Sequence, residues 1–295
     1  PNIKVLIYGD PGVGKSTLGL SSPAPLLLDF DGGVHRVHPT HQVNTVQVAS
    51  WEDVIALLKE DLSDYKTLVL DTAGKMLDYM SAFIIKNDPK MAKRDGALTQ
   101  NGYGARKAMF QSYLRQVSLI GKNLVFIAHD KEEKDNDMKF IRPEIGGSSG
   151  GDLIKEIDLV GFMEMIGKKR TISFDPCEKF YGKNTCGLDP LIELPDVVAG
   201  GKQNTLLTDI FAKYQNSLED RKKLAVEYTD LLSLIKGTVD EVKDATKLND
   251  CVTWAKSLQK IWDSGLQSAH MIKAKAEELG CVMNKEKVYE VKANV

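Results

Sequence analysis

Lys15 and Ser16 close the run Gly9-Asp10-Pro11-Gly12-Val13-Gly14-Lys15-Ser16, which places a cation and a hydroxyl directly after a glycine-rich turn. The spacing G-x-x-x-x-G-K-[ST] suits a loop that wraps a chain of phosphates. Gly12 and Gly14 let the backbone curl with its amides facing inward, which a Cβ would obstruct. Lys15 can reach β- and γ-phosphate oxygens, and the Ser16 hydroxyl can hold Mg²⁺. A plain glycine turn between strand and helix would look similar, so context decides. The apolar run Ile3-Lys4-Val5-Leu6-Ile7-Tyr8 precedes the loop, a helix opens at Thr17, and a second apolar run ends in a carboxylate at Asp71. Residues Gly9 through Thr17 are therefore expected to hold a nucleoside triphosphate, ATP, with its Mg²⁺.

Hydrolysis needs more than a cradle. Asp71, ending Thr67-Leu68-Val69-Leu70-Asp71, fits the second magnesium ligand beside Ser16. No glutamate follows it, so the group that orients or deprotonates water must come from elsewhere. Asp31, in Asp29-Phe30-Asp31-Gly32-Gly33, is the best candidate, with Asp29 behind it; the same residues would also make an ordinary turn. His129 ends the strand Leu124-Val125-Phe126-Ile127-Ala128 and would report on the γ-phosphate, although a histidine there can equally be a satisfied hydrogen bonder. Lys183, in Gly182-Lys183-Asn184, could complete a neighbouring subunit's site or simply be a solvated turn lysine.

These groups need a sheet edge to gather them. Strands are expected at residues 3–8, 25–29, 45–48, 67–71, 124–128, 159–165 and 170–174, separated by helices at 17–20, 51–62, 74–86, 105–120 and 152–156. Ser50 with Asp53 reads as a capping box. Strands alternating with helices and ending in polar residues predict an α/β fold with a mostly parallel central sheet and ligands at the strands' carboxyl ends. Residues 87–104 read as a mobile basic loop, and residues 130–151 as a second irregular stretch, charged first and glycine-rich last. From Thr205 onward the apolar spacing is helical, which places a core at 1–200 and a helical C-terminal region at 201–295.

The chain has 295 residues, 42% hydrophobic and 27% charged, enough for a sizeable core. A formal net charge of −2 gives no global field for nucleic acid, so such a partner must be met by local patches. Cys177, Cys186, Cys251 and Cys281 lack C-x-x-C spacing and a histidine cluster, and read as reduced thiols, not zinc ligands. No membrane span or signal peptide is expected, which places the protein in the cytoplasm.

The order of these pieces resembles the RecA family of strand-exchange ATPases: base-bearing strand end Asp31, metal aspartate Asp71, helix, loop 87–104, helix, sensor strand ending at His129, loop 130–151, helix. It looks closest to the phage-encoded, core-only branch, the ATP-binding proteins associated with single-strand annealing and recombination. The resemblance covers roughly residues 2–200 and implies a RecA-like core in a bacterial host's cytoplasm. The implied partners are single-stranded DNA, further copies of the chain in a ring or filament, and a single-strand-binding protein. On this reading Lys90, Lys93, Arg94, Arg106 and Lys107 contact DNA phosphates, Tyr103 stacks on a base, and Gly147, Ser148 and Ser149 bring backbone amides to the strand. Glu132, Glu133, Asp135 and Asp137 are poor company for DNA. Arg142, Lys168, Lys169 and Arg170 add basic character that a solvated face explains equally well. Two departures stand out. The family's usual base is glutamate, one methylene longer than Asp31. Thr185 replaces the arginine of the related Lys-Asn-Arg motif, so only Lys183 carries over. The family's N-terminal polymerisation segment has no counterpart before Ile3, so subunit contacts are expected from the core or tail.

Three functions compete. The first is a DNA-stimulated ATPase that anneals or exchanges strands. The second is a nucleotide-dependent scaffold or loader that acts through its helical tail. The third is a small-molecule kinase, disfavoured by the lack of an arginine-rich lid.

Overall fold

The computed structural model describes residues 2–135, 138–145, 149–195 and 204–292. The chain divides into two compact units, Pro1–Gln215 and Asn216–Val295. The boundary expected at 200/201 lies outside the described residues.

The first unit is built on strands whose residues are buried on both faces, the pattern of a parallel sheet covered by helices. In chain order they are β1 (Lys4–Gly9), α1 (Lys15–Gly19), β2 (Pro25–Asp29), β3 (Thr45–Gln47), α2 (Trp51–Leu57), β4 (Thr67–Asp71), α3 (Ala73–Asn87), α4 (Gln100–Leu119), β5 (Asn123–Asp135), β6 (Met138–Pro143), α5 (Ser149–Glu156), β7 (Leu159–Ile166), β8 (Lys169–Ser173) and β9 (Ile192–Glu193). Among the described residues these nine strands form one sheet in the order β3-β2-β4-β5-β1-β7-β8-β9, with β6 paired to β5. Strands β3 through β7 of that order run parallel, and β8, β9 and β6 add antiparallel edges. This is an α/β fold with a mostly parallel central sheet. Its core packs Leu6, Tyr8, Leu28, Leu70 and Phe126 against Trp51, Met76, Met80, Phe110 and Val117 of the helices.

In the two stretches expected to be irregular, many of the described residues take up regular structure. Residues 87–104 hold a 3₁₀ turn at Pro89–Met91 capped by Asp88, a bridge between Ala92 and Leu98, and the start of α4. Thr99 caps that helix by accepting a hydrogen bond from Gly102 N at 3.1 Å. Gly102 is a packing glycine, not a bend: a Cβ there would stand 2.8 Å from Met91 O and 2.9 Å from Leu98 Cδ2. Gly102→Ala should therefore destabilise the protein by roughly 1–3 kcal/mol, as overpacking does, despite alanine's better helix propensity; a thermal melt that rises would contradict this packing. The described part of residues 130–151 holds an antiparallel ribbon, β5 pairing with β6 from Asp130↔Pro143 to Asp135↔Met138. Its charges pair with one another, Lys139 with Glu132 at 3.3 Å and Arg142 with Glu133 at 2.9 Å.

The second unit contains most of α6 (Leu206–Asp240), then α7 (Ala245–Ser257), α8 (Ser264–Glu278) and a two-stranded hairpin, β10 (Cys281–Met283) with β11 (Tyr289–Val291). Ile235, Val239, Leu248, Cys251, Ile272, Ala276 and Tyr289 form its core. The Asn249 side chain holds the hairpin to α7: its Nδ2 donates to Tyr289 O and its Oδ1 accepts from Tyr289 N, both at 2.9 Å. The tail is helical, as its apolar spacing predicts, with this hairpin added. Among the described residues no helix is long and apolar enough to cross a membrane.

Candidate active site

β1 lies between β5 and β7, so the loop that leaves it emerges at the middle of the sheet's carboxyl edge. Gly12 (φ 81°) and Gly14 (φ 101°) take left-handed conformations that a side chain disfavours. Gly9 answers a different need, since a Cβ there would stand 2.1 Å from Met163 O on β7. Lys15 is buried, and its ammonium donates to Gly9 O and Asp10 O, both at 2.7 Å. Burial pulls its pKa down, while the carboxylates of Asp130, Asp71 and Asp10 oppose that shift. A buried cation held only by carbonyls and nearby carboxylates is a strong attractor for an anion.

Ser16 Oγ donates to Asp71 Oδ2 at 2.5 Å, joining the loop to the end of β4. Burial raises the Asp71 pKa, and Asp31 and Asp29 raise it further against the opposing Ser16 hydrogen bond and Lys15 charge. A hydroxyl and a partly buried carboxylate whose charge is under-compensated form a hard-oxygen pair that suits Mg²⁺, an ion that takes its remaining ligands from nucleotide and water.

The sheet register arranges the other acids. Asp29 on β2 pairs with Asp71 on β4, Asp71 pairs with Ile127 on β5, and His129 pairs with Gly9. Asp31 and His129 thus stand two residues beyond Asp71 in register, one on either side of it. Asp29 is spent on structure: it accepts from Asp31 N (3.2 Å), Gly33 N (3.0 Å), Val34 N (3.0 Å) and Gln47 Nε2 (2.9 Å). Burial alone would raise its pKa, but the donations from Gly33, Gln47, Val34 and Asp31 hold it below the usual carboxylate range. This cradle presents Asp31, which is exposed and accepts from Thr72 Oγ1 at 3.3 Å. His129 Nδ1 is buried with no hydrogen-bond partner.

A cavity of about 370 Å³ spans these groups, lined by the phosphate loop from Gly12 to Thr17 except Val13, with Asp29, Asp31, Asp71, Thr72 and His129. A second cavity of about 270 Å³ shares Asp31, Thr72 and His129, and adds Lys75, Asp78 and Glu144. Arg36, His38, Arg170, Leu194 and Asn204 also line the first cavity, and Asp130 acts on Lys15, none of them marked by residue order as part of the site. Asp130 follows His129 directly, which was the available signal, but it read as the start of a charged loop.

The remaining candidates lie elsewhere. Lys183 does not line the cavity; its ammonium donates to Lys155 O and Ile157 O, where α5 ends. Lys90, Lys93, Arg94 and Lys107 are exposed on and beside the segment between α3 and α4, and Tyr103 is half-buried. Arg106, expected among the phosphate contacts, is only 5% exposed: it donates to Ser81 Oγ at 3.1 Å and stacks over Tyr103 at 5.0 Å. It braces the segment from within. Gly147 and Ser148 lie outside the described residues, as does the Ser149 side chain.

No curated protein matches the chain. The family model described as "AAA domain" matches residues 1–186, the part that carries the loop, Asp31, Asp71, His129 and Lys183. A match over more than half of the chain, on a fold whose central strand delivers this phosphate loop, places the protein in the AAA-domain family of nucleotide-binding ATPases.

Proposed function

We propose that the protein is a Mg²⁺-dependent ATPase of the RecA-like recombination class, in which hydrolysis is coupled to single-stranded DNA during annealing or strand exchange, in assemblies of this chain. The observation that carries the hydrolytic part is the Ser16–Asp71 hydrogen bond with Asp31 and His129 two residues further out on either side. Ser16 and Asp71 would hold the Mg²⁺, which supplies charge neutralisation on the phosphates. Lys15 exchanges two backbone carbonyls for phosphate oxygens, so its desolvation is recovered when the anion binds. Asp31, oriented by the Thr72 hydroxyl, aligns the attacking water and accepts its proton. The unpartnered His129 Nδ1 offers a hydrogen-bonding group at the same level and reports the γ-phosphate to the β5–β6 ribbon that continues from it.

The DNA reading rests on the exposed cations Lys90, Lys93 and Arg94, carried on a segment ordered by Asp88, Asp95 and the Ala92–Leu98 bridge. Exposed cations on an ordered backbone suit the phosphates of a flexible strand. The test is a titration of ATPase rate with poly-dT, with particle mass measured with and without ATP. Stimulation by poly-dT with ATP-dependent growth in mass is expected. Assembly with ATP but no response to poly-dT would replace this reading with that of a nucleotide-driven scaffold. Substituting Lys90, Lys93 and Arg94 together by alanine should leave the basal rate unchanged. It should also flatten the salt dependence of poly-dT affinity by a log–log slope of about 0.7 per lost phosphate contact. An unaltered slope would move the DNA contacts elsewhere.

A further inference from the structure

The hairpin of β7 and β8 is pressed against the root of the phosphate loop. Gly9 pairs with Met163, and Met163 carbonyl oxygen comes so close that a side chain at Gly9 has no room. Met165 pairs with Arg170, so Arg170 stands two residues beyond Gly9 in register, about 7 Å further at the usual rise of a strand. That carries its side chain over the loop: Arg170 Cδ and Nε each lie 3.5 Å from where a Gly14 Cβ would be. Its strand is pinned. Leu194 N donates to Arg170 O at 2.8 Å, Lys169 pairs with Glu193 at 2.8 Å, and Thr171 Oγ1 donates to Glu164 O at 3.2 Å. The Arg170 guanidinium itself has no carboxylate partner among the described residues, and it lines the same cavity as Gly14, Lys15 and Ser16.

We propose that Arg170 is a phosphate ligand within its own chain, clamping the α- and β-phosphates of the bound nucleotide from the β8 side. This rests on the nucleotide reading of the cavity. The sheet order puts Asp71 two strands to one side of β1 and Arg170 two strands to the other. Asp31, Asp71 and His129 therefore occupy the side where hydrolysis takes place, and Arg170 meets the phosphate chain from the opposite side. A guanidinium is suited to this because its planar fork presents two N–H groups side by side in a fixed geometry that matches a pair of phosphate oxygens, where a lysine ammonium acts as a point charge.

Calorimetric titration of ADP and of a non-hydrolysable ATP analogue, both with Mg²⁺, into wild type, Arg170→Ala and Arg170→Lys tests this. Arg170→Ala should weaken both nucleotides alike, by about 10- to 100-fold for a charge-assisted hydrogen bond lost. Arg170→Lys should fall between. The nucleotide-free melting temperature should not move, because Arg170 is exposed. Unchanged affinities in Arg170→Ala would overturn the clamp, and weakening of the ATP analogue alone would overturn its assignment to the α- and β-phosphates. A wild type that binds neither nucleotide would instead remove the nucleotide reading itself.

Discussion

Asp31→Asn should bind ATP as the wild type does and turn it over about 10²- to 10⁴-fold more slowly, the usual range for loss of a positioned base. The expectation follows from how the two aspartates of this strand end divide their work. Asp29 has four donors on its two oxygens and is buried, so although it borders the cavity it cannot accept a proton without releasing the turn that carries Asp31. Asp31 is exposed, touches both cavities, and keeps one oxygen in reach of Thr72 Oγ1. Asparagine preserves its size and the Thr72 hydrogen bond but cannot take a proton. Binding should survive because no atom of the phosphate loop depends on Asp31. The measurement is a single-turnover rate beside an equilibrium affinity. A turnover equal to wild type would pass the role to His129 or to Glu144, which share the second cavity.

The division between what could be read from residue order and what could not has a physical basis. The loop, Asp71 and the Ser50–Asp53 capping box depend on residues close in sequence, and all three have the expected local structure; Ser50 N donates to Asp53 Oδ2 at 2.8 Å. The pairing of β5 with β6 is not legible in residue order because its cross-strand ion pairs are diagonal: Lys139 meets Glu132 and Arg142 meets Glu133 across a register that sets Lys139 opposite Lys134 and Arg142 opposite Lys131. Without alternating apolar residues such a stretch looks like a loop. Gly102 misled for a related reason. Its glycine serves a close approach by Met91 and Leu98, contacts that residue order does not show, whereas a run of glycines suggests flexibility. Arg106 belongs with it, a cation buried against Ser81 and Tyr103 where a basic cluster implied exposure. Arg170 is the reverse case. It sat in a run of surface cations, and only the pairing of β7 with β1 brings it to Gly14.

Asp71→Asn separates the cost of the site from its use. The Asp71 carboxyl is partly buried near Asp31 and Asp29, and that desolvation pushes its pKa up, so its charged form is costly when no cation is bound. The Ser16 hydroxyl and the Lys15 ammonium offset part of that cost. Asparagine keeps an oxygen for Ser16 Oγ and removes the charge, so the nucleotide-free protein should melt at the wild-type temperature or above it. Catalysis should move the other way. Several kcal/mol of transition-state stabilisation depend on a metal held at this pair, which corresponds to a loss of about 10³-fold or more in the Mg²⁺-dependent rate. The nucleotide should still bind through the loop amides and Lys15, with an affinity that no longer responds to Mg²⁺. Melting curves and ADP titrations with and without Mg²⁺ read both halves. A variant that melts well below wild type would mean that the Asp71 charge, with Lys15 near it, stabilises the nucleotide-free fold instead of costing it. A variant whose ADP affinity still rises with Mg²⁺ would place the ion on other oxygens. Only the combination of unchanged or raised melting with lost Mg²⁺ response fits a carboxylate kept at a cost to the fold for the ion it holds.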